Sequence, residues 1–320
     1  MARSRRETLV ALACVLPSAL VIVAFHVWPL LYAFWVSLHR WTIVPGPFLG
    51  LGNYREVVGS PAFWQSVGVT GWYVLGTVPP TLLVAYLIAE LLNRDLPGRG
   101  FYRVLFFTPY VVSPVAAAAV WKSLFYQASP QVNGWLAAQG WQVSPHQIWL
   151  LQPRGLFQWL AEATGHQLPS WAAGPSLALC CIMVVAIWTN LGFAVVVLLG
   201  GLSQVPTEVL EAARLDGASG WRLRRQVIWP LLSPVLFFLL IVFTIRAFQA
   251  FSQIYVFTGE NSLLGTTSTL TYYIFETAFK TSGRIGYGSA VAFVLFAIIL
   301  ALTWVQFRVV GSRVHYGGER

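Results

Sequence analysis

Polar side chains interrupt a strongly apolar chain at a few places, and these residues could do chemistry. Arg246, Gln249 and Gln253 follow i, i+3 and i+7 spacing, so a helix would place them on one stripe. Guanidinium and amide groups hydrogen-bond polar solutes, so the stripe predicts a substrate pathway. The alternative is that Arg246 reaches the lipid headgroups while the two glutamines bond adjacent helices.

A second interruption comes at Trp188, Thr189 and Asn190, within an aliphatic run. An asparagine at mid-span needs hydrogen-bond partners, which a solute or an adjacent helix could supply. Glu90 and Lys122 lie near the ends of apolar segments, and we expect both to reach the membrane interface.

Sequence motifs for hydrolysis and metal chemistry are absent. Neither lysine, Lys122 or Lys280, follows the glycines of a phosphate-binding loop, and there is no HExxH, CxxC or GxSxG. The histidines lack ligand spacing, and Cys14, Cys180 and Cys181 fall inside apolar segments. We therefore expect no catalytic residue, no metal site and no cofactor bound by this chain.

The composition indicates a membrane protein. Of the 320 residues, 57% are hydrophobic and 10% are charged, against about 25% charged in soluble domains. The net charge of +9 does not favour nucleic acid as a partner, because the basic residues cluster in short gaps between apolar runs.

Six segments are long and apolar enough to cross a bilayer, which needs about 20 residues. They predict an all-α integral membrane fold. The expected spans are Leu9–Ser37, Val67–Leu92, Phe101–Leu124, Ser176–Leu202, Val227–Phe251 and Ile285–Phe307.

The basic residues predict the orientation of these spans. With the N-terminus inside, the short inside segments hold Arg3, Arg5, Arg6, Arg94, Arg99, Arg103, Arg214, Arg222, Arg224, Arg225, Arg308, Arg313 and Arg320. The longer outside loops hold fewer, namely Arg40, Arg55, Lys122, Arg154, Lys280 and Arg284. The bias predicts a multi-pass protein with both termini in the cytoplasm.

Two outside loops carry structural signals. Residues 40–66 are turn-rich, and we expect them to be ordered only by packing on the helices. The long loop 126–175 contains GLFQWLAEA, which predicts a short amphipathic helix. Its tryptophans suit the headgroup level more than contact with a partner, and they are Trp135, Trp141, Trp149, Trp159 and Trp171.

The polar stretch Glu208–Pro234 lies between two spans and reads EVLEAARLDGASGWRLRRQVIWPLLSP. Pro206 and Thr207 suit a helix start, and Gly217 suits its end. With small residues and Glu211 on its surface, this helix could enter a groove of another protein, or it could lie flat on the lipid.

The spacing in this stretch resembles the EAA loop of ABC importer permeases. Glu211-Ala212-Ala213, three residues, Gly217, nine residues and then Val227-Ile228-Trp229-Pro230 follow the family pattern EAA, three, G, nine, I-x-L-P. Val227 and Trp229 replace the isoleucine and the leucine. The flanking segments, such as IRAFQAFSQIYVFTGENS, resemble MalF-type permeases of the carbohydrate-uptake family from about Phe101 onward.

The resemblance implies a type I importer fold, with one permease domain over 1–320 and a cytoplasmic EAA loop over 205–226. It implies three kinds of partner: a second EAA-type permease, two ABC ATPase subunits that bind ATP and Mg, and an extracytoplasmic substrate-binding protein. The apolar composition adds membrane lipid. The implied activity is import of a sugar, oligosaccharide or polyol across the cytoplasmic membrane, with no catalysis by this chain.

The resemblance also implies site residues. Those expected to contact the ATPase are Glu211, Ala212, Ala213, Asp216, Gly217 and Pro230. Those expected to contact substrate are Asn190, Phe193, Phe243, Arg246, Ala247 and Ala250, joined by Gln249 from the polar stripe. The positive charge of Arg246 is also compatible with an anionic substrate such as a glycerol phosphate. The alternatives are a self-sufficient carrier or channel, and a membrane-embedded enzyme.

Overall fold

The computed structural model describes residues 5–141, 143–144, 146–166, 168–169, 172–258, 265–280 and 283–313. Arg3, Arg320, Trp171 and the GENS segment at 259–262 lie outside the described residues. The chain forms two compact units, one of residues 1–60 and 273–296, the other of residues 61–272 and 297–320.

The first unit begins with an apolar helix made of α1 (Arg5–Ile22), a π-helical segment (Val23–Val27) and α2 (Trp28–Ser37). Residues Leu9–Ser37 match the predicted first span, and none of its most apolar window is buried. An apolar surface this exposed is suited to lipid.

After α2, the predicted loop 40–66 has structure of its own, so the expectation that only packing orders it was wrong. Strands β1 (His39–Trp41) and β2 (Pro45–Phe48) pair antiparallel, and α3 (Gly52–Gly59) follows. Asn53 fixes the hairpin to the end of α2, because its Nδ2 donates to the carbonyls of Ser37 at 2.7 Å and His39 at 2.9 Å.

The second unit is organised around α4 (Pro61–Leu92) and α8 (Leu177–Leu202). Half of the most apolar window of α8 is buried, the largest share among the spans of the described residues. The two helices pack closely where a Cβ on Gly76 would lie 2.3 Å from Sδ of Met183. Helix α8 is therefore the centre of the core.

The predicted span Phe101–Leu124 is not one continuous helix. The structure has α5 (Arg99–Val111) and α6 (Pro114–Ala138), bent by 97°. Pro114 is the cause, since the residue before a proline is driven to extended backbone, and Ser113 has ψ 126°. Helix α6 also takes up the first part of the predicted loop 126–175.

The rest of that loop contains a short 3₁₀ helix (Trp149–Leu151) and α7 (Leu156–Ala163). The short helix predicted at GLFQWLAEA is thus confirmed. Trp149 donates from its Nε1 to Oδ1 of Asn133 at 2.9 Å and packs against the core. The placement of the loop tryptophans at headgroup level stays a prediction.

The C-terminal half continues through α9 (Thr207–Leu215), α10 (Gly220–Leu223), a π-helical segment (Arg224–Ile228), α11 (Trp229–Phe248) and α12 (Ser252–Thr258). Next come α13 (Leu270–Phe275), a π-helical segment (Glu276–Lys280), α14 (Ile285–Val309) and a 3₁₀ turn (Gly311–Arg313). The described residues include five helices long and apolar enough to cross a membrane, or six if α5 and α6 form one span.

Candidate functional site

A cavity of about 260 Å³ opens within the second unit. Its walls come from the middle of α4, the bend between α5 and α6, the middle of α8, and the end of α11 with the start of α12. Its polar and aromatic lining residues are Tyr73, Thr77, Thr81, Tyr110, Thr189, Asn190, Phe243, Arg246, Phe251, Ser252 and Gln253. A concave site with a few fixed polar groups among apolar walls is typical of small-molecule sites.

Arg246 is the one charged side chain among the described residues that line the cavity. Its Nη1 and Nη2 both donate to the hydroxyl of Tyr110 at 3.3 Å. The guanidinium carbon lies 5.4 Å from the ring centre of Phe193 and 5.8 Å from that of Tyr110, within cation–π range. These contacts hold the Arg246 side chain, which is exposed, against the aromatic rings.

The aromatic rings form a continuous wall. Tyr110 and Phe193 stack at 5.2 Å with an angle of 24°, and Phe243 meets Phe193 edge-on at 6.1 Å. Helix α5 can bring Tyr110 this close to α8 because Gly192 has no side chain. A Cβ at this position would lie only 2.4 Å from the carbonyl oxygen of Phe106. Such a wall can pack against the apolar face of a sugar ring.

Asn190 faces the same cavity, as expected for a solute contact. Its Nδ2 donates to the carbonyl of Ala186 on its own helix at 2.8 Å. Its carbonyl oxygen can accept a hydrogen bond, and one amide hydrogen is left to donate. This geometry favours the solute alternative over bonding to an adjacent helix.

The predicted stripe of Arg246, Gln249 and Gln253 does not exist as one helical face. Helix α11 ends at Phe248, and Gln253 belongs to α12. Thr271 Oγ1 donates to the carbonyl of Ala250, which an uninterrupted helix would have paired with a backbone N–H. Gln253 still lines the cavity and bonds Tyr73, whereas Gln249 is exposed and lies outside the lining.

Of the predicted substrate residues, Asn190, Phe243, Arg246, Ala247 and Ala250 line the cavity. Phe193 supports it through the aromatic wall. Sequence reasoning missed Tyr73 and Tyr110, although each is a hydroxyl-bearing residue inside an apolar run. That signal was available, but neither residue lies near Arg246 in the sequence.

Glu90 and Lys122, predicted to reach the membrane interface, are both half-buried and bonded to other parts of the chain, and their place at the interface stays a prediction. Glu90 Oε1 accepts from Nε of Arg224 at 2.6 Å. Lys122 Nζ donates to the carbonyl of Val256 in α12 at 2.9 Å. Each charge has a partner, which offsets the cost of leaving water.

A second candidate surface is α9 with the turn that follows it. The end of α9 is a Schellman motif: Ala218 N–H donates to the carbonyl of Ala213 at 2.9 Å, and Gly217 N–H donates to that of Arg214 at 3.0 Å. Gly217 has φ 81°, which favours glycine, and Asp216 is the C-cap. The predicted helix start after Pro206 and stop at Gly217 are confirmed.

The outer surface of α9 is largely unburied. Glu211 and Ala212 are exposed, Ala213 is half-buried, and Leu215 is 89% exposed. An exposed leucine beside a carboxylate suits a protein groove, since both an apolar contact and an ion pair are available.

Trp229, which departs from the EAA pattern, packs locally. It meets the ring of Trp221 edge-on at 5.0 Å and that of Tyr86 at 5.9 Å. Pro230 lies inside the continuous helix Gly220–Phe248, directly after its π-helical segment, where a proline removes one backbone hydrogen bond. The wide turn of the π-helical segment before it accommodates the proline ring.

No group of three or more His, Cys, Asp or Glu side chains suited to a metal ion occurs in the described part of the chain.

Comparisons with known proteins agree with this architecture. A family model described as "Binding-protein-dependent transport system inner membrane component" matches residues 60–314. The trehalose/maltose transport system permease protein MalF of Thermococcus litoralis is 31% identical over 306 residues, which cover 95% of this chain and 94% of that protein. The sn-glycerol-3-phosphate transport system permease protein UgpA of Brucella abortus is 32% identical over 303 residues, 94% of each chain.

Among solved structures, a chain of a bacterial alginate ABC transporter, in complex with an alginate pentasaccharide-bound periplasmic protein, superposes with a TM-score of 0.71. It is 17% identical, and the match covers 95% of this chain and 94% of that one. At this identity the likeness shows the fold, which is that of an ABC importer permease.

Proposed function

The chain belongs to the family of binding-protein-dependent transport system inner membrane components, and on that premise we propose that it is the permease subunit of an ATP-driven importer of a sugar, oligosaccharide or polyol. The observation that carries the substrate class is the cavity of about 260 Å³ with its aromatic wall, Asn190 and Arg246. Relatives that align along nearly the whole chain are permeases for trehalose/maltose and for sn-glycerol-3-phosphate. A self-sufficient carrier is not favoured, because these relatives are subunits of transport systems.

In this proposal Asn190 bonds substrate hydroxyls, Phe243 and Phe193 pack against the ring, and Arg246 binds an oxygen of the substrate. Ala247 and Ala250 leave room beside it. Gln249 has no part, since it lies outside the lining.

A phosphorylated polyol is the second candidate substrate. Arg246 is a cation, and the described lining of the cavity contains no carboxylate, so the cavity favours a substrate with a single anionic group. The UgpA relatives are named as permeases for such a substrate.

We place loop 205–226 and both termini in the cytoplasm, in line with the basic residues near the span ends. Helix α9 docks on one of two ABC ATPase subunits, which bind the ATP and Mg. Glu211 pairs with a basic group there, Ala212 and Ala213 allow close approach, and Asp216 and Gly217 fix the turn. Pro230 begins the span that transmits the motion. A second EAA-type permease and a binding protein that presents substrate complete the transporter.

The test is purification of the tagged protein from its native membrane, followed by assay in vesicles. We expect an ABC ATPase and a second permease to co-purify, with ATP hydrolysis stimulated by the loaded binding protein. Recovery of a homomer that transports without an ATPase would contradict the proposal. Competition between a neutral disaccharide and a glycerol phosphate in the same vesicles separates the two substrate classes.

A further inference from the structure

Two pockets meet at the N-terminal end of α8, away from the substrate cavity. One is apolar, about 300 Å³, and lies between α6, α7 and α8. The other is polar, about 410 Å³, and is built from residues 144–162. Trp159 lines both, so the two pockets adjoin at its indole ring.

The position of the pair relative to the bilayer follows from α8. The apolar pocket uses Leu177, Cys180 and Val184 from the first turns of this span, at one end of the hydrocarbon region. The carbonyl of Arg154 accepts from the N–H of Leu177 at 3.1 Å, so Arg154 lies where the span begins. The polar pocket is therefore at headgroup level.

The polar pocket holds one cation and one anion side by side. Arg154 Nη1 donates to Oε2 of Glu162 at 2.8 Å, and Gln158 Nε2 donates to Oε1 at 2.9 Å. Both charged side chains are still partly exposed, 56% for Arg154 and 34% for Glu162. A guanidinium has five N–H donors, and this pair uses one of them, so the Arg154 side chain can also bind an anionic oxygen.

The wall between the pockets and the core is fixed by hydrogen bonds. Asn133 Oδ1 accepts from Trp149 Nε1 at 2.9 Å, and its Nδ2 donates to the carbonyl of Gln147 at 2.7 Å. Both pockets are thus formed without a ligand.

We propose that this pair of pockets, which we call the lipid crevice, binds a zwitterionic phospholipid whose headgroup carries a primary amine. One acyl chain lies in the apolar pocket along α8, the phosphate lies against Arg154, and the ammonium donates to Glu162. A lipid of net negative charge is disfavoured because its phosphate would approach Glu162 without an ammonium to balance it. A choline headgroup has no N–H to donate.

The test uses the complete transporter in nanodiscs, with a phosphatidylethanolamine that carries a photoactivatable group in one acyl chain. We expect crosslinks in the peptides that contain Leu136 and Cys180. Unlabelled phosphatidylethanolamine should compete about tenfold better than phosphatidylcholine or phosphatidylglycerol, in keeping with a charge-assisted hydrogen bond.

Variants separate the headgroup from the acyl chain. Glu162→Gln should remove the preference for ethanolamine over choline while crosslinking persists, and Cys180→Trp should abolish crosslinking by filling the apolar pocket. Glu56→Gln, which removes one partner of another exposed ion pair, is the matched control and should change neither result. Competition that is equal for all three headgroups, or a polypeptide crosslinked in the crevice of the native complex, would overturn the proposal.

Discussion

Arg224 and Glu90 form an ion pair between the segment that follows α9 and the end of α4, with Nε and Oε1 2.6 Å apart. The two residues are 134 positions apart in the sequence. Helix α4 also carries Tyr73, Thr77 and Thr81 of the cavity wall. The pair therefore links the predicted EAA loop directly to a helix of the candidate substrate site.

This link predicts that breaking the pair weakens the coupling between ATP hydrolysis and substrate. Glu90→Gln should lower the stimulation of ATP hydrolysis by the loaded binding protein about fivefold. The exchange of charges in the double variant Glu90→Arg, Arg224→Glu should restore part of it. If the single variant couples normally, the pair has only a local structural role.

Glu211→Lys should abolish coupling while insertion in the membrane stays normal, because the introduced ammonium group would face the basic group of the ATPase as a like charge. Glu208→Lys makes the same change of charge one turn earlier on α9 and is the control. We expect the control to keep substrate-stimulated ATP hydrolysis. Equal activity of both variants would exclude an ion pair at Glu211.

Arg246→Ala should weaken substrate affinity about tenfold, since a hydrogen bond from a charged donor contributes about 1.5–3 kcal/mol. The measurement is the substrate dependence of uptake in vesicles. Gln249→Ala, three residues further along and exposed, should leave that dependence unchanged. A larger loss of affinity in Gln249→Ala than in Arg246→Ala would contradict the assignment of the substrate site to the cavity.

Gly192→Ala should destabilise the protein by about 2 kcal/mol, because the new methyl group would force α5 and α8 apart at the Phe106 carbonyl. Gly200→Ala on the same helix is the control, since a Cβ there meets nothing within 4 Å. It should raise stability by about 0.5–1 kcal/mol. Thermal unfolding in detergent measures both, and an equal effect would contradict the close packing of α5 on α8.

The ion pair between Glu56 and Arg284 predicts a small pH effect. A hydrogen bond from Arg284 lowers the pKa of the Glu56 carboxyl below its usual 4.5. A lowered pKa in the folded state contributes stability above the unfolded pKa, and this contribution is lost as the pH falls through the folded value. Because the pair is partly exposed, Glu56→Gln should lower the free energy of unfolding by less than about 1 kcal/mol at pH 7. At a pH below both pKa values the variant and the original protein should be equally stable. A difference that grows on acidification would contradict this sign.

Helix α9 shows how much of the structure could be predicted from the sequence. Its start after Pro206, its end at Gly217 and its family spacing depend on residues within one short stretch, and the structure has α9 at the expected place. The break between α5 and α6 was equally local, because Pro114 alone drives Ser113 out of helical backbone. The residues on both sides of Pro114 are apolar, so the whole segment met the criterion for one continuous span and the break was not predicted.

The polar residues near the span ends show what sequence reasoning could not supply. Glu90 and Lys122 are predicted to reach the interface, and their partners, Arg224 and the carbonyl of Val256, lie 134 positions away in each case. No periodicity within one segment can show such a pair.

The sequence by itself determined that the chain crosses a membrane, where most of its spans lie and which family it resembles, because apolar length and motif spacing are local properties. Only the tertiary structure decided that Tyr73, Tyr110, Asn190 and Gln253 line one cavity with Arg246, and that Gln249 does not. Those contacts depend on how α4, α5, α8, α11 and α12 pack, and packing is set by long-range fit such as the approach of Phe106 to Gly192.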